Sequence, residues 1–335
     1  MKDDSCNKIR LLRVWELLKK ETDEDNPMST TEIIRRLKEE GLKCNRATLY
    51  SDIDLLNKYG YEIQRVRSTF NLYYVYDRDF NNPEIQIMMD AVKAASFVTK
   101  KKTNSLVNKI AQLAGSKKGE ILKKNILEFN TVKSNNERIY YSVDDIINAI
   151  TQKKKLSFVY YDYGVNKSKV YRKTADGENE IKTYIVNPVA TICSDDKYYL
   201  VCFSDAHLDF TPFRIDRMEE VKMLDEDVTC TNAMDPKAVA NKLSSMFKMY
   251  GGKKERIVFS ADKKVLNSVY DKFNDGVKTL QDNGNKVLLS VEMEVSNPLI
   301  SWFIGFGNML QVLKPQCVVD SIKELVKKAS EVYSD

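Results

Sequence analysis

Apolar positions recur along this chain with two periods, and the switches between them mark its parts. Ile9, Leu11, Leu12, Trp15 and Leu18 fall at helical spacing, and the polar run from Lys19 to Pro27 ends that pattern. Ser29-Thr30-Thr31-Glu32 has the form of a capping box and opens a second helix with Ile33, Ile34 and Leu37 inward. Gly41 closes it. Asn45 is placed to cap a third helix that stops at Gly60, with Leu49, Ile53 and Leu56 as one buried stripe. From Tyr61 to Tyr76 the period becomes two on either side of a turn near residues 68–71, which predicts a hairpin.

Residues 81–130 return to the helical period. Pro83 suits a first turn, and Ile85, Met88, Met89, Val92 and Phe97 repeat at helical spacing, as do Ile121, Leu122, Ile126 and Leu127 further on. Residues 131–136 read as a linker. Ser142-Val143-Asp144-Asp145 then predicts a capped helix that ends in Lys153-Lys154-Lys155. Four strand-like runs follow, LSFVYYDY, EIKTYIVNPVATICS, KYYLVCFSD and DFTPFRIDRMEEV, with turn signals at Asp176-Gly177 and Asp195-Asp196. One helix and several short antiparallel strands predict a small, partly open barrel. The last hundred residues predict a strand at 256–260, a helix at 261–273 and a hairpin about 282–285. A helix capped at Asn297-Pro298, the strand MLQVLKP and a closing helix at 318–332 complete them. That βαββαβ order is ferredoxin-like, with Trp302, Phe303 and Phe306 as core. The pattern predicts an α+β multidomain chain divided at 1–80, 81–135, 136–230 and 231–335.

Composition narrows the function more than the fold. The 335 residues suffice for two or three domains. No apolar run approaches the ~20 residues of a membrane span, and the polar N-terminus is no secretory signal, so a cytoplasmic protein with no membrane partner is expected. Six scattered cysteines form no C-x-x-C pair, and His207 is the one histidine, so neither a metal site nor a disulfide framework is expected. The chain has no G-x-S-x-G, P-loop or H-E-x-x-H motif, and His207 reads as an exposed loop residue, so no catalysis and no cofactor are expected. The net charge of +5 is uneven. Residues 1–80 carry 15 basic and 15 acidic groups, so a case for nucleic acid there must rest on local geometry rather than net charge.

That geometry is present in the first eighty residues. Arg46, Ala47, Tyr50 and Ser51 lie off the buried stripe of the third helix, near its N-terminal end, and Arg65 and Arg67 share one face of the first hairpin strand. Two helices joined by a short turn, then a basic hairpin, predict a winged helix-turn-helix with double-stranded DNA as its partner. The alternative is a small three-helix domain used for packing or dimerisation. The stretch CNRATLYSDIDLL resembles the recognition helix of DeoR-like winged helix-turn-helix repressors, S-x-x-T-I-x-R-D-I/L-x-x-L. Asn45 stands for the serine, Thr48 and Leu49 for T-I, and Asp52 and Ile53 for D-I. Ser51 replaces the family arginine, which shifts the expected contacts toward Arg46, Tyr50 and the hairpin. The expected DNA-binding set is Asn45, Arg46, Thr48, Tyr50, Ser51, Arg65 and Arg67.

In FTPFRIDRMEEV, a continuous strand would put Arg214 and Asp216 on one face and Arg217 on the inward one. An unpaired guanidinium there is costly, so either the strand bends or Arg217 lines a cavity. Ser157-Phe158, Tyr160, Val186-Asn187-Pro188, Tyr198-Tyr199-Leu200 and Phe213-Arg214-Ile215-Asp216-Arg217-Met218 together resemble a WYL domain, an Sm-like barrel, with Tyr198 in place of the family tryptophan. The resemblance implies a ligand-sensing module for a nucleic acid fragment or nucleotide-like effector, held by Tyr160, Tyr198, Tyr199, Arg214, Asp216 and Arg217. The alternative is a structural ion pair between Asp216 and Arg217, with the tyrosines as core. SWFIGFGNMLQVLKP resembles the C-terminal extension that follows WYL domains, matching at Trp302, Gly307, Val312, Leu313 and Pro315, and implies a homodimer. The combination implies an effector-controlled transcription regulator. The alternative is an RNA- or single-strand-binding accessory module of a defence system.

Overall fold

The computed structural model describes residues 2–67, 70–125, 133–134, 136–174, 180–205, 208–229 and 236–333. Residues 68 and 69, the Asp176-Gly177 turn and His207 lie outside the described residues. The chain divides into two compact units, Met1–Glu137 and Arg138–Asp335.

The first unit contains helices α1 (Lys2–Glu21), α2 (Thr30–Glu39) and α3 (Arg46–Lys58) and strands β1 (Met28–Ser29), β2 (Ile63–Arg67) and β3 (Asn71–Val75). The strands form one antiparallel sheet in the order β1-β3-β2. The Ser29 hydroxyl accepts from the Glu32 amide at 3.2 Å and so caps α2. Val14, Leu18, Ile33, Leu37, Leu49, Ile53 and Leu56 meet with Ile63, Tyr73 and Val75 in a single core. Three further helices, α4 (Asn82–Ala94), α5 (Lys100–Ala111) and α6 (Ser116–Asn125), enclose a smaller core of Ile85, Met89, Val107, Ala111 and Leu122. Gly119 on α6 lies so close to α5 that a Cβ there would meet the Ala111 carbonyl oxygen at 2.3 Å, so the crossing requires glycine.

The second unit begins with α7 (Ile139–Gln152), then β4 (Lys154–Tyr163), β5 (Lys169–Tyr171), β6 (Thr183–Ser194), β7 (Lys197–Ser204), β8 (Asp209–Arg214) and β9 (Met218–Asp227). The antiparallel sheet runs β5-β4-β6-β7-β8, and β9 pairs with β4. Among the described residues no pair joins β8 to β9, so the sheet is not a closed barrel. Its core holds Ile146 and Ala149 of α7 with Leu156, Phe158, Tyr160, Leu200, Phe213, Ile215 and Met218. The helix starts one turn earlier than its sequence predicts. Ile139 packs into the same core two turns from Ile146, and Ser142 sits inside the helix, donating to the Arg138 carbonyl rather than capping.

The remainder contains α8 (Pro236–Ser245), β10 (Lys254–Asp262), α9 (Leu266–Phe273), β11 (Val277–Asn283), β12 (Lys286–Glu294), α10 (Asn297–Ile304), β13 (Leu310–Lys314) and α11 (Gln316–Val332). The sheet order is β11-β12-β10-β13, antiparallel throughout, with Phe259, Leu289, Leu299 and Phe303 at the centre of its core. Trp302 is half-buried against Phe273 and Phe306. Ala261 and Asp262 extend β10 instead of opening α9, because Ala261 pairs with Val287 and Leu310 and is fully buried. Asp262 then accepts from the Lys264 amide at 2.9 Å and starts a 3-10 turn ahead of α9. Asn297 is the first residue of α10 rather than its cap. Among the described residues no helix is long and apolar enough to cross a membrane.

Candidate functional site

Two regions gather the residues singled out from the sequence. On α3, the Asn45 carboxamide oxygen accepts from both the amide and the hydroxyl of Thr48, each at 2.9 Å. These two side chains are spent on the cap. Arg46, Ala47 and Ser51 are exposed. Tyr50 is half-buried, 6.4 Å from the Tyr73 ring, and its hydroxyl accepts from Asn71 on β3 at 3.1 Å. Hydrogen bonds from Asn71 and Thr30, with the charges of Arg46 and Arg65 close by, hold the Tyr50 phenol below its usual range. The fold therefore brings Arg46, Tyr50 and Arg65 together on one side. The side chain of Arg67 lies outside the described residues. A cleft of about 660 Å³ opens beside the α3 N-terminus between Lys38, Lys43 and Thr48.

Asp52, matched in sequence to a recognition-helix motif, faces the interior. Arg10 donates to it through Nε at 2.7 Å and Nη2 at 3.1 Å, and both side chains are only 10% exposed. Arg10 is not among the residues singled out from the sequence. Its signal is positional, since Arg10 falls on the same helical stripe as Val14 and Leu18.

The second region lies where the strand predicted at 209–221 breaks. β8 ends at Arg214, Ile215–Arg217 forms a 3-10 turn, and β9 starts at Met218. The turn buries Ile215 completely and leaves Arg217 25% exposed and paired with a carboxylate, which lowers the cost of an inward guanidinium. The Tyr161 hydroxyl pins the turn by donating to the Asp216 carbonyl at 2.8 Å. The structural ion pair of the alternative reading, between Asp216 and Arg217, does not form. Asp216 instead takes Arg214 in a bidentate pair, Nε to Oδ1 at 3.0 Å and Nη2 to Oδ2 at 2.7 Å. Arg217 donates from Nη1 to Asp162 on β4 at 3.2 Å and lies over the Tyr163 ring at 5.5 Å. Its Nε is buried with no partner among the described residues.

A third arginine completes the group. Arg172 donates to Asp162 from Nε at 2.9 Å and stacks over the Tyr160 ring at 4.7 Å. Periodicity could not find it, because its place depends on the register of β5 against β4, Tyr171 opposite Tyr161. The Tyr160 hydroxyl accepts from the Arg214 amide at 3.3 Å. Burial pushes this phenol up, and that amide with the charges of Arg217, Arg172 and Arg214 partly offsets the rise. Its ring belongs to the core, edge-on to Phe158 and Phe213. Tyr199 lies across from Arg214 in the β7–β8 register and is half-buried. Tyr198 does not join them. Strand alternation turns it toward the core, and its hydroxyl donates to Thr191 at 2.9 Å. Three guanidinium groups against two carboxylates leave one positive charge in excess around Tyr160.

Comparison with curated proteins returned no match. Among solved structures, proteasome accessory factor B/C of Arthrobacter aurescens is similar at 13% identity and a TM-score of 0.30, over 97% of this chain and 49% of that one. The chain therefore spans about half the length of that relative. A CRISPR Cas-related protein is similar at 14% identity and a TM-score of 0.26, over 98% of this chain and 84% of that one. Family models match two segments, both in the second unit. Residues 142–223, which hold the whole arginine group, match the WYL domain model, and residues 253–330 match the WCX domain model.

Proposed function

We propose that this chain is a transcription regulator whose WYL domain binds an anionic effector, a nucleic acid fragment or nucleotide, and whose N-terminal unit binds double-stranded DNA as a winged helix-turn-helix. The observation that carries the effector role is the grouping of Arg172, over the Tyr160 ring, with Arg214 and Arg217, held by Asp216 and Asp162 at the turn after β8. Arginine forks match phosphate oxygens, and the half-buried Tyr199, opposite Arg214, is the ring left for a base. Asp216 preorganises Arg214, so little side-chain entropy is lost when an anion arrives. The DNA role is supported by Arg46 and Arg65 on the exposed side of α3 and β2. The β5-β4-β6-β7-β8 sheet with β9 on β4 is read as an open Sm-like barrel, and the β11-β12-β10-β13 order as ferredoxin-like. Residues 231–335 are assigned to a homodimer interface. The protein acts in the cytoplasm and catalyses no reaction in this proposal.

Calorimetric titration of the whole chain with short single strands and nucleotides tests the effector site. A charge-assisted hydrogen bond contributes roughly 1.5–3 kcal/mol. Arg214→Ala should therefore weaken effector binding by about 10- to 150-fold. Equal affinity in parent and variant would remove the arginine group from the effector site.

A further inference from the structure

The two carboxylates of the arginine group are used differently. Asp216 is 11% exposed and serves Arg214 alone, through two well-formed bonds. Asp162 is 44% exposed and serves two arginines at once. It accepts from Arg172 Nε at 2.9 Å and Nη2 at 3.4 Å, and from Arg217 Nη1 at 3.2 Å. Both oxygens are engaged, and Arg217 Nε is still buried without a partner among the described residues. One carboxylate thus bridges two guanidinium groups that its charge and oxygen count only half match. Arg172, 45% exposed, and Arg217, 25% exposed, both keep solvent access while paired with Asp162.

A phosphomonoester supplies what is missing. It carries about −1.5 to −2 charge near neutral pH and three acceptor oxygens. An internal phosphodiester carries a single charge and two free oxygens, so it offers the pair no more than Asp162 does. We propose that Asp162 is an internal stand-in for a terminal phosphate, and that an effector bearing a phosphomonoester displaces it from Arg172 and Arg217. The proposal rests on the effector role assigned above to the same site. It makes the effector a phosphorylated strand end or a mononucleotide. It also makes Asp162 a competitor that sets how much effector is needed.

Isothermal titration of the whole chain with a short deoxythymidine strand tests this. The strand carries a phosphate at its 5′ end, at its 3′ end, or at neither, and thymidine 5′-monophosphate separates a strand end from a free nucleotide. The parent should prefer one phosphorylated ligand over the unphosphorylated strand by about tenfold, the worth of one charge-assisted bond. Asp162→Asn should bind that ligand about tenfold more tightly than the parent, because the competing charge is gone. Arg172→Gln should erase the phosphate preference without lowering the melting temperature. Weaker binding of every ligand by Asp162→Asn would make Asp162 a positioning partner and overturn the proposal. Indifference of the parent to the terminal phosphate would overturn it too, while binding that still depends on Arg214 would leave the effector role standing. Absence of binding by any of these ligands would overturn both.

Discussion

Arg10 and Arg217 are both arginines whose spacing turns them toward a core, and the fold treats them in opposite ways. Arg217 escapes through a 3-10 turn to a carboxylate that is 44% exposed. Arg10 stays inside and ties α1 to α3 through Asp52. Removing one member of a buried pair strands the other charge, at a cost of roughly 3–5 kcal/mol. Urea unfolding of Arg10→Met should show a loss of about that size. The double variant Arg10→Met with Asp52→Leu should recover most of it, because two apolar side chains leave no orphan charge. A double variant no more stable than the single one would mean that the pair matters for more than charge balance. The pairing also gives the motif aspartate of α3 a structural task. The exposed residues beside it, Arg46 and Ser51, are left free for a partner.

At the scale of elements, caps were legible where a side chain and its amide lie within one turn. Ser29 and Asn45 cap α2 and α3 as their spacing implies. Ser142 misled because burial of Ile139 outweighed a local cap. In α2, Glu32 sits in the first turn and is held down to about 2 by Arg35 and then Arg36. A depressed carboxylate stabilises the fold above its unfolded value and loses that contribution as acid protonates it in the folded state. Stability of the N-terminal unit should therefore decline as pH falls from about 4.5 toward about 2. Glu32→Gln should lack this part of the decline, so the two melting curves should converge in acid. The difference should be small and should shrink in salt, since the pairs are solvent-exposed. On α3 and β2, replacing Arg46 and Arg65 together by alanine removes two phosphate partners in the proposed DNA complex. The slope of log affinity against log salt should drop by about 2, equally for all sequences. An unchanged slope would place the DNA elsewhere.

At the scale of the molecule, the second unit joins its WYL and WCX segments through Lys242 on α8. Lys242 donates to Asp209 at the start of β8 at 2.7 Å and to Glu294 at the end of β12 at 2.9 Å. Glu294 is 2% exposed and also accepts from Ser245 and the Gly252 amide, each at 2.9 Å. β8 is the strand that carries Arg214. Lys242→Met leaves a buried carboxylate without its cation and should cost up to about 3 kcal/mol. Differential scanning calorimetry should then resolve separate transitions for the two segments in place of a shared one. A single, merely lowered transition would mean that other contacts couple them. For the proposed regulator, linkage requires that operator DNA change effector affinity by the factor with which effector changes DNA affinity.

Local pattern alone determined most of the helices and strands, though not β1, β5, α8 or the turn that parts β8 from β9, together with the caps of α2 and α3 and the ordered elements that resemble a WYL domain and its extension. These depend on residues a few positions apart, whose spacing sets burial and backbone hydrogen bonding directly. It also marked Arg214, Asp216 and Arg217 as unusual. Only the tertiary structure decided their partners. Arg172 and Asp162 reach the group through the β4–β5 register, and Asp216 takes Arg214 because the chain turns at Ile215. Tyr198 goes to the core and Tyr199 to the arginine side by strand alternation in a register that the sequence does not state. Arg10 finds Asp52 across 42 residues. Pairings of this kind follow from how whole strands and helices pack, since burying a charge is tolerable only where the fold delivers its counter-charge.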